Sequence, residues 1–176
     1  MRDVILYIAC SVDGYIADCN GGVAWLEGDG SEKSNEGSYG RFIQTVDTVV
    51  VGYNTYKQII EDLSPDKWVY EGLKTYVITH RDIKSTDDII FTKEPLSLLI
   101  SNLRKMEGKS IWICGGSSII NQMIDMDLID TFTIAIVPTL LGDGIPLFIN
   151  HKDERQLKLV STTNYNGFIE ITYKKR

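Results

Sequence analysis

The sequence has few of the residues that build metal centres or disulfide frameworks. Its 176 residues include only two histidines and three cysteines. The cysteines, Cys10, Cys19 and Cys114, cannot all pair, and none stands in a C-x-x-C spacing with a histidine nearby. We therefore expect neither a zinc site nor a disulfide-stabilised fold, and we predict no metal.

Long apolar runs and an excess of positive charge are also missing. No segment approaches the ~20 apolar residues that span a bilayer, and the first residues lack the apolar core of a signal peptide. The net charge of -6 disfavours nucleic acid and anionic membranes as partners. We expect a cytoplasmic protein with one domain over residues 1–176 and a small molecule as its partner.

The most informative stretch is residues 110–124, with the sequence SIWICGGSSIINQMI. An apolar run typical of a buried strand stops at Gly115 and Gly116, and a helical pattern begins after Ser117. Paired glycines let a backbone approach a ligand closely, and the N–H groups at a helix start favour a phosphate. A tight turn with a serine cap and no ligand explains this segment equally well.

Two other segments repeat this pattern. Residues 47–52 predict a buried strand that ends at Gly52, with Asn54 or Thr55 placed to cap the next helix. Residues 75–79 predict another strand, which ends in a hydroxyl, an imidazole and a guanidinium group: Thr79, His80 and Arg81. Taken alone, an arginine in this position is more often a solvated surface charge than a ligand.

The remaining segments indicate the fold class. Further strands are predicted over residues 3–12, 88–91, 130–137 and a hairpin spanning 157–174, with helices over 35–45 and 96–106 and a long loop over 18–36. Such an order predicts a three-layer α/β domain with a mostly parallel central sheet and antiparallel C-terminal strands. Because ligands bind at the carboxyl ends of parallel strands, the three strand ends above should converge on a dinucleotide.

Five short motifs cover nearly the whole chain in order: residues 9–17 (ACSVDGYIA), 49–56 (VVVGYNTY), 77–81 (VITHR), 113–116 (ICGG) and 138–148 (PTLLGDGIPLF). Together they resemble the dihydrofolate reductase superfamily, and most closely its branch that contains the reductase domain of riboflavin biosynthesis. The resemblance implies an NADPH-dependent reductase that transfers hydride to a small heterocyclic or ribosylaminopyrimidine-type substrate. It also implies a dihydrofolate reductase-like fold and a homodimer formed through the C-terminal strands.

The resemblance further implies which residues contact NADPH and the substrate. The nicotinamide would be flanked by Ala9 and Ile16, and Ile113 would also contact the cofactor. The pyrophosphate would be held by the two glycine turns: Gly52, Asn54, Thr55, Gly115, Gly116, Ser117 and Ser118. The adenosine 2′-phosphate would be surrounded by the third strand end: Thr79, His80 and Arg81. The substrate would contact three aromatic side chains: Trp25, Tyr39 and Phe42. Trp25 is equally well explained as the residue that pins the long loop to the core.

The proton donor and the substrate are the open points. Glu36 aligns with the pterin-binding carboxylate of dihydrofolate reductases, and Asp13 is the other candidate acid, although a helix start and a turn explain these two residues as well. Tyr53 and Leu73 stand where dihydrofolate reductases usually carry arginines, so folate is not the first choice of substrate. Dihydrofolate reductase activity and a non-catalytic nucleotide-binding protein of the same fold are the alternatives.

Overall fold

The computed structural model describes residues 1–32, 37–151 and 153–176, and these residues are organised around one eight-stranded sheet. The strands of this sheet, in chain order, are β1 (Val4–Ser11), β3 (Val46–Gly52), β4 (Lys74–Ile78), β5 (Ile89–Thr92), β6 (Ser110–Gly115), β7 (Thr131–Val137), β9 (Leu157–Tyr165) and β10 (Phe168–Lys175). Two short strands, β2 (Tyr15–Ala17) and β8 (Ile145–Pro146), pair with each other outside the large sheet.

The α-helices in the described parts of the chain are α1 (Tyr39–Phe42), α2 (Tyr53–Gln58), α3 (Leu96–Lys105) and α4 (Ser117–Asp125). A 3-10 turn, Ile43–Thr45, follows α1, and a π-helical segment, Ile59–Leu63, follows α2. None of these described helices combines the length and the apolar character needed to cross a membrane.

The strand order is β5-β4-β3-β6-β1-β7-β10-β9, with β1 between β6 and β7. All pairings from β5 to β7 are parallel, whereas β10 runs antiparallel to both β7 and β9. The sequence therefore predicted the sheet correctly: it is mostly parallel, and its antiparallel strands are the C-terminal ones. The hairpin turns at Asn166 and Gly167, both of which have positive φ angles.

The sheet is covered on both faces, which confirms the three-layer prediction. On one face, Leu6 and Ile113 of the central strands pack with Ile120 of α4 in the main core, and none of these three side chains is exposed. On the other face, Val49 and Trp112 pack against a second group of side chains that includes Phe42. Each fully buried aliphatic side chain contributes about 1.5–3 kcal/mol to folding.

Three details of the sequence prediction need correction. The helix expected over residues 35–45 is a single α-helical turn and a 3-10 turn over 39–45, while residues 35 and 36 lie outside the described parts of the chain. The predicted capping of α2 by Asn54 or Thr55 is wrong, because Gly52 occupies the cap position and both side chains lie inside the helix. The strands β2 and β8 were missed, since three and two residues are too short to show a period.

Candidate active site

The three strand ends singled out by the sequence lie side by side at one edge of the sheet. Gly52 at the end of β3 pairs with Ile78 at the end of β4, and Val51 pairs with Gly115 at the end of β6. Since β4, β3 and β6 are consecutive neighbours, the residues that follow them emerge together. The convergence expected from the motif order is therefore present, and this edge is the place to look for a bound anion.

The turns from β3 into α2 and from β6 into α4 are in close contact. A Cβ atom added to Gly116 would lie 3.0 Å from Thr55 Oγ1, and one added to Gly52 would lie 3.2 Å from Ile119 Cγ1. Gly115 has a φ angle of +136°, which L side chains rarely adopt, and its peptide bond to Gly116 is cis. A side chain at Gly52 or Gly116 would crowd the opposite turn, and the first N–H groups of α4 have no partner within the helix.

A basic pair lies beside these turns, at the end of β4. The Arg81 guanidinium carbon lies 4.6 Å from the centre of the Tyr53 ring, and the Arg81 backbone N–H donates a hydrogen bond of 3.1 Å to Thr79 Oγ1. His80 and Arg81 are both exposed. The Tyr53 ring thus helps to hold Arg81 near the end of β3.

Helix α4 also holds β8 and the residue that follows it in place. The Ser117 hydroxyl donates a 2.6 Å hydrogen bond to the carbonyl of Pro146, so a phosphate contact from Ser117 would have to come from its backbone N–H. Asn121, which the sequence analysis missed, is 2% exposed, and its side-chain amide donates to Leu147 O at 3.0 Å. Ser118 is exposed, and its Oγ accepts a hydrogen bond of 3.1 Å from Gln122 Nε2.

A second group of candidate residues lies around Ala9, on the face of the sheet to which the Ala9 side chain points. Ala9 on β1 pairs with Ala135 on β7, which in turn pairs with Glu170 on β10. Ala135 forms a buried cluster with Val137 and Phe168, and Ala9, Trp25 and Tyr165 pack against this cluster. The predicted nicotinamide residue Ala9 therefore lies in an aromatic-walled region, and Ile16 packs instead against the main core.

Glu170 is the polar centre of this region, and no sequence motif pointed to it. Its side chain is 4% exposed and accepts hydrogen bonds from the Tyr7 hydroxyl, at 2.8 Å, and from the Ser38 hydroxyl. Burial, reinforced by the nearby Glu170, raises the pKa of Tyr7, so Tyr7 stays protonated and remains a hydrogen-bond donor. The strand pattern does hold a signal, because period-two alternation places Glu170 on the same face as the buried Phe168.

The three aromatic residues predicted to contact substrate differ in position. Phe42 stacks on Tyr7 with ring centres 4.3 Å apart and meets Trp112 edge-on at 5.4 Å, so it serves mainly to pack α1 on the sheet. Tyr39 lies at the rim of this cluster and is 41% exposed. Trp25 is held by the hydrogen bond from its Nε1 to the carbonyl of Gly22, and it packs against the same cluster as Ala9.

Two other predicted site residues have structural roles. The Asp13 carboxylate accepts hydrogen bonds from the Ser11 hydroxyl and from the backbone N–H groups of Leu141 and Gly142, and these bonds lower its pKa. A carboxyl group held ionised in this way is a poor proton donor, so these bonds favour the role of a turn residue for Asp13. Ile113 is fully buried in the main core, so its side chain is not available to a cofactor. Glu36 lies outside the described residues.

Comparison with known proteins gives the family. The profile described as the RibD C-terminal domain matches residues 2–169. YwjB, an uncharacterised protein of Bacillus subtilis strain 168, is 35% identical over 173 residues, which are 98% of this chain and 97% of that protein. A solved structure from Shewanella sp. PV-4, assigned to riboflavin biosynthesis, has a TM-score of 0.87 and 26% identity, with 99% of each chain covered.

More distant structures share the fold. A diaminohydroxyphosphoribosylaminopyrimidine deaminase/5-amino-6-(5-phosphoribosylamino)uracil reductase from Thermotoga maritima has a TM-score of 0.73 at 16% identity, with 99% of this chain and 57% of that one covered. Dihydrofolate reductase from Enterococcus faecalis, solved with NADP(H), has a TM-score of 0.65 at 15% identity, with 98% and 96% covered. The dihydrofolate reductase-like fold predicted from the sequence is therefore confirmed, and the chain belongs to the RibD C-terminal domain family.

Proposed function

We propose that the protein is an NADPH-dependent reductase that acts on a small heterocyclic substrate of the ribosylaminopyrimidine type. The observation that carries this proposal is the contact between the β3–α2 and β6–α4 turns, with Arg81 beside them. These turns present backbone N–H groups, glycines and a guanidinium at the carboxyl edge of a parallel sheet, where dinucleotides bind in folds of this kind. The family and the fold support the same reading.

The described residues fit a dinucleotide phosphate. The nearest atom to a Cβ built on Gly115 is Ile8 Cδ1, at 3.9 Å, so no neighbouring group closely covers the backbone at this glycine. Gly52, Gly115 and Gly116 would let the pyrophosphate approach the first turn of α4. Asn54, Thr55 and Ser118 border these turns, while Thr79, His80 and Arg81 would bind the 2′-phosphate.

The chain's part in the reaction is placement and exclusion of water. When bound, NADPH supplies the hydride. Ala9 would orient the nicotinamide, with Ile16 as the second residue predicted to flank it. The loop over residues 18–32 packs Trp25 against the same region and would shield it from solvent. Tyr39 at the rim would meet the substrate.

Two measurements test this function. Titration with NADPH, followed by nicotinamide fluorescence, should give a dissociation constant well below ~100 μM, since weaker binding is unusual for a cofactor. NADPH oxidation should then follow addition of 5-amino-6-(5-phosphoribosylamino)uracil, the compound in the name of the Thermotoga enzyme. No NADPH binding would reject the proposal. Oxidation with dihydrofolate alone would establish the folate alternative, and binding without any turnover would establish a non-catalytic nucleotide-binding protein.

The proposal includes a homodimer formed through the terminal hairpin. Three apolar side chains of β9 and β10 are about half exposed: Leu159 at 54%, Val160 at 53% and Ile169 at 50%. β9 is also an edge strand, which offers unpaired backbone groups to a second chain. A monomer mass by light scattering would reject this part of the proposal.

A further inference from the structure

Glu170 is a buried carboxyl group, and folding stability does not explain why it is there. It is 4% exposed on a strand whose neighbouring inward residue is Phe168. Among residues 1–32, 37–151 and 153–176, no lysine, arginine or histidine forms an ion pair with it. Removing a carboxylate from water without a cation is costly, and an apolar residue here would stabilise the fold more.

Within the described residues, the donors to Glu170 are fewer than its carboxylate can accept. A carboxylate only accepts hydrogen bonds, and it has about four lone-pair positions. The donors within the described chain are two hydroxyls, those of Tyr7 and Ser38. The group can therefore accept further N–H or O–H donors, and it repels an anionic group brought close to it.

The strand register gives the distance between Glu170 and the proposed nicotinamide site. Ala9, Ala135 and Glu170 are successive register partners on β1, β7 and β10, so Glu170 is two strand spacings, about 10 Å, from Ala9. It lies five strand spacings, about 24 Å, from β4, whose end carries Arg81. The cationic end and the carboxyl end thus lie far apart along the sheet, on the two sides of Ala9.

We propose that Glu170, assisted by Tyr7, positions and selects the substrate by accepting hydrogen bonds from the amino and ring N–H groups of a planar nitrogen heterocycle. This inference rests on the proposed function, since it takes the substrate to lie beside Ala9. An amino-substituted pyrimidine presents two adjacent N–H donors in one plane, which matches the two oxygens of a carboxylate. Any phosphate on the substrate would have to point away from Glu170.

The competing explanation is that Glu170 only ties Ser38, and with it the start of α1, to the sheet. Glu170→Gln separates the two roles. The glutamine can still accept from the Tyr7 hydroxyl, and its amide can donate to Ser38 Oγ, so a tie would survive. The negative charge and one acceptor position would be lost, so recognition of N–H donors would not survive.

The test uses the full chain without cofactor and two small probes, 5,6-diaminouracil and uracil, by isothermal titration calorimetry. For Glu170→Gln, we expect the affinity for 5,6-diaminouracil to fall roughly 10- to 100-fold, as for the loss of a charged hydrogen-bond partner. Uracil, which lacks both amino groups, should bind both proteins weakly and alike. The melting temperature of the variant should equal or exceed that of the wild type, and its NADPH affinity should be unchanged.

Glu107→Gln is the matched control, because it removes an exposed carboxylate from the loop before β6 and should change none of these values. Unchanged 5,6-diaminouracil affinity in Glu170→Gln would overturn the inference, as would failure of the wild type to bind this probe. A lower melting temperature with weaker NADPH binding would mean that the charge of Glu170 supports the whole fold, and it would also overturn the inference. NADPH binding to the wild type is a separate test of the proposed function.

Discussion

At the β4 end of the sheet the charged side chains, His80 and Arg81, are exposed to solvent, whereas at the β10 end Glu170 is 4% exposed. The first region is built from backbone: two glycine turns in contact and the first turn of a helix. The second is built from side chains on strands that are far apart in sequence, since Tyr7 and Glu170 are separated by 163 positions.

This difference has a physical consequence for binding. An exposed cation keeps its hydration and contributes a modest attraction to many anions, while the backbone amides determine where a phosphate lies. A buried carboxyl group has lost its water and must have donors, so it discriminates sharply between ligands that supply them and ligands that do not. The β4 end should therefore depend more on its backbone turns than on any one side chain. The Glu170 end should tolerate changes in neither charge nor donors.

The largest effect is expected from Gly115→Ala, which tests whether NADPH binding at the β4 end depends on backbone conformation. The φ angle of +136° is unfavourable for alanine, and such strain costs about 1–3 kcal/mol, so the melting temperature should fall. NADPH affinity should fall at least about 10-fold, because the amides after the turn are displaced. Differential scanning calorimetry and fluorescence titration measure these changes. Gly40→Ala, where nothing lies within 4 Å of the added methyl group, is the control.

A smaller effect is expected from Arg81→Ala, which tests whether an exposed cation adds specificity to this end. If Arg81 contacts the 2′-phosphate, NADPH affinity should fall roughly 10-fold, and NADH affinity should hardly change. Removal of an equally exposed cation on α3, in Lys105→Ala, should alter neither. Equal losses of affinity for NADPH and NADH would show that Arg81 does not distinguish the two cofactors. The cofactor preference would then come from the backbone amides.

The smallest effect is expected from Asp13→Asn, which tests whether a carboxylate exposed to water behaves differently from the buried Glu170. The Ser11 hydroxyl, with the amides of Gly142 and Leu141, lowers the pKa of Asp13, so its contribution to stability is present above its unfolded pKa of about 3.9. This contribution is lost as pH falls through the lower folded pKa.

The melting temperatures of the wild type and Asp13→Asn should therefore differ at pH 7 and converge as the pH approaches 3. Asp66→Asn, at an exposed loop position, should show no such convergence. A gap that stays constant to pH 3 would mean that Asp13 is not ionised in its hydrogen bonds.

The sequence predicted the strands and glycine turns at the β4 end well because their signals are local. A run such as residues 47–52, which ends at Gly52, contains both the strand and the glycine that ends it, and the structure has β3 over Val46–Gly52. The same reasoning failed at Asn54 and Thr55, since a strand that leads directly into a helix leaves the cap position to the glycine. It left the role of Asp13 open between a proton donor and a turn residue, because a carboxylate in a turn looks the same in sequence whether or not it is bonded to a distant loop.

By itself, the sequence determined the alternation of strands and helices, the glycine turns and the family, because short-range periodicity and backbone requirements are written in neighbouring residues. Only the tertiary structure decided that Glu170 lies beside Tyr7 and Ser38, in register with Ala135 and Ala9. Strand register across a sheet depends on pairing between residues more than a hundred positions apart, and the burial that gives a carboxyl group its selectivity exists only once those strands have met.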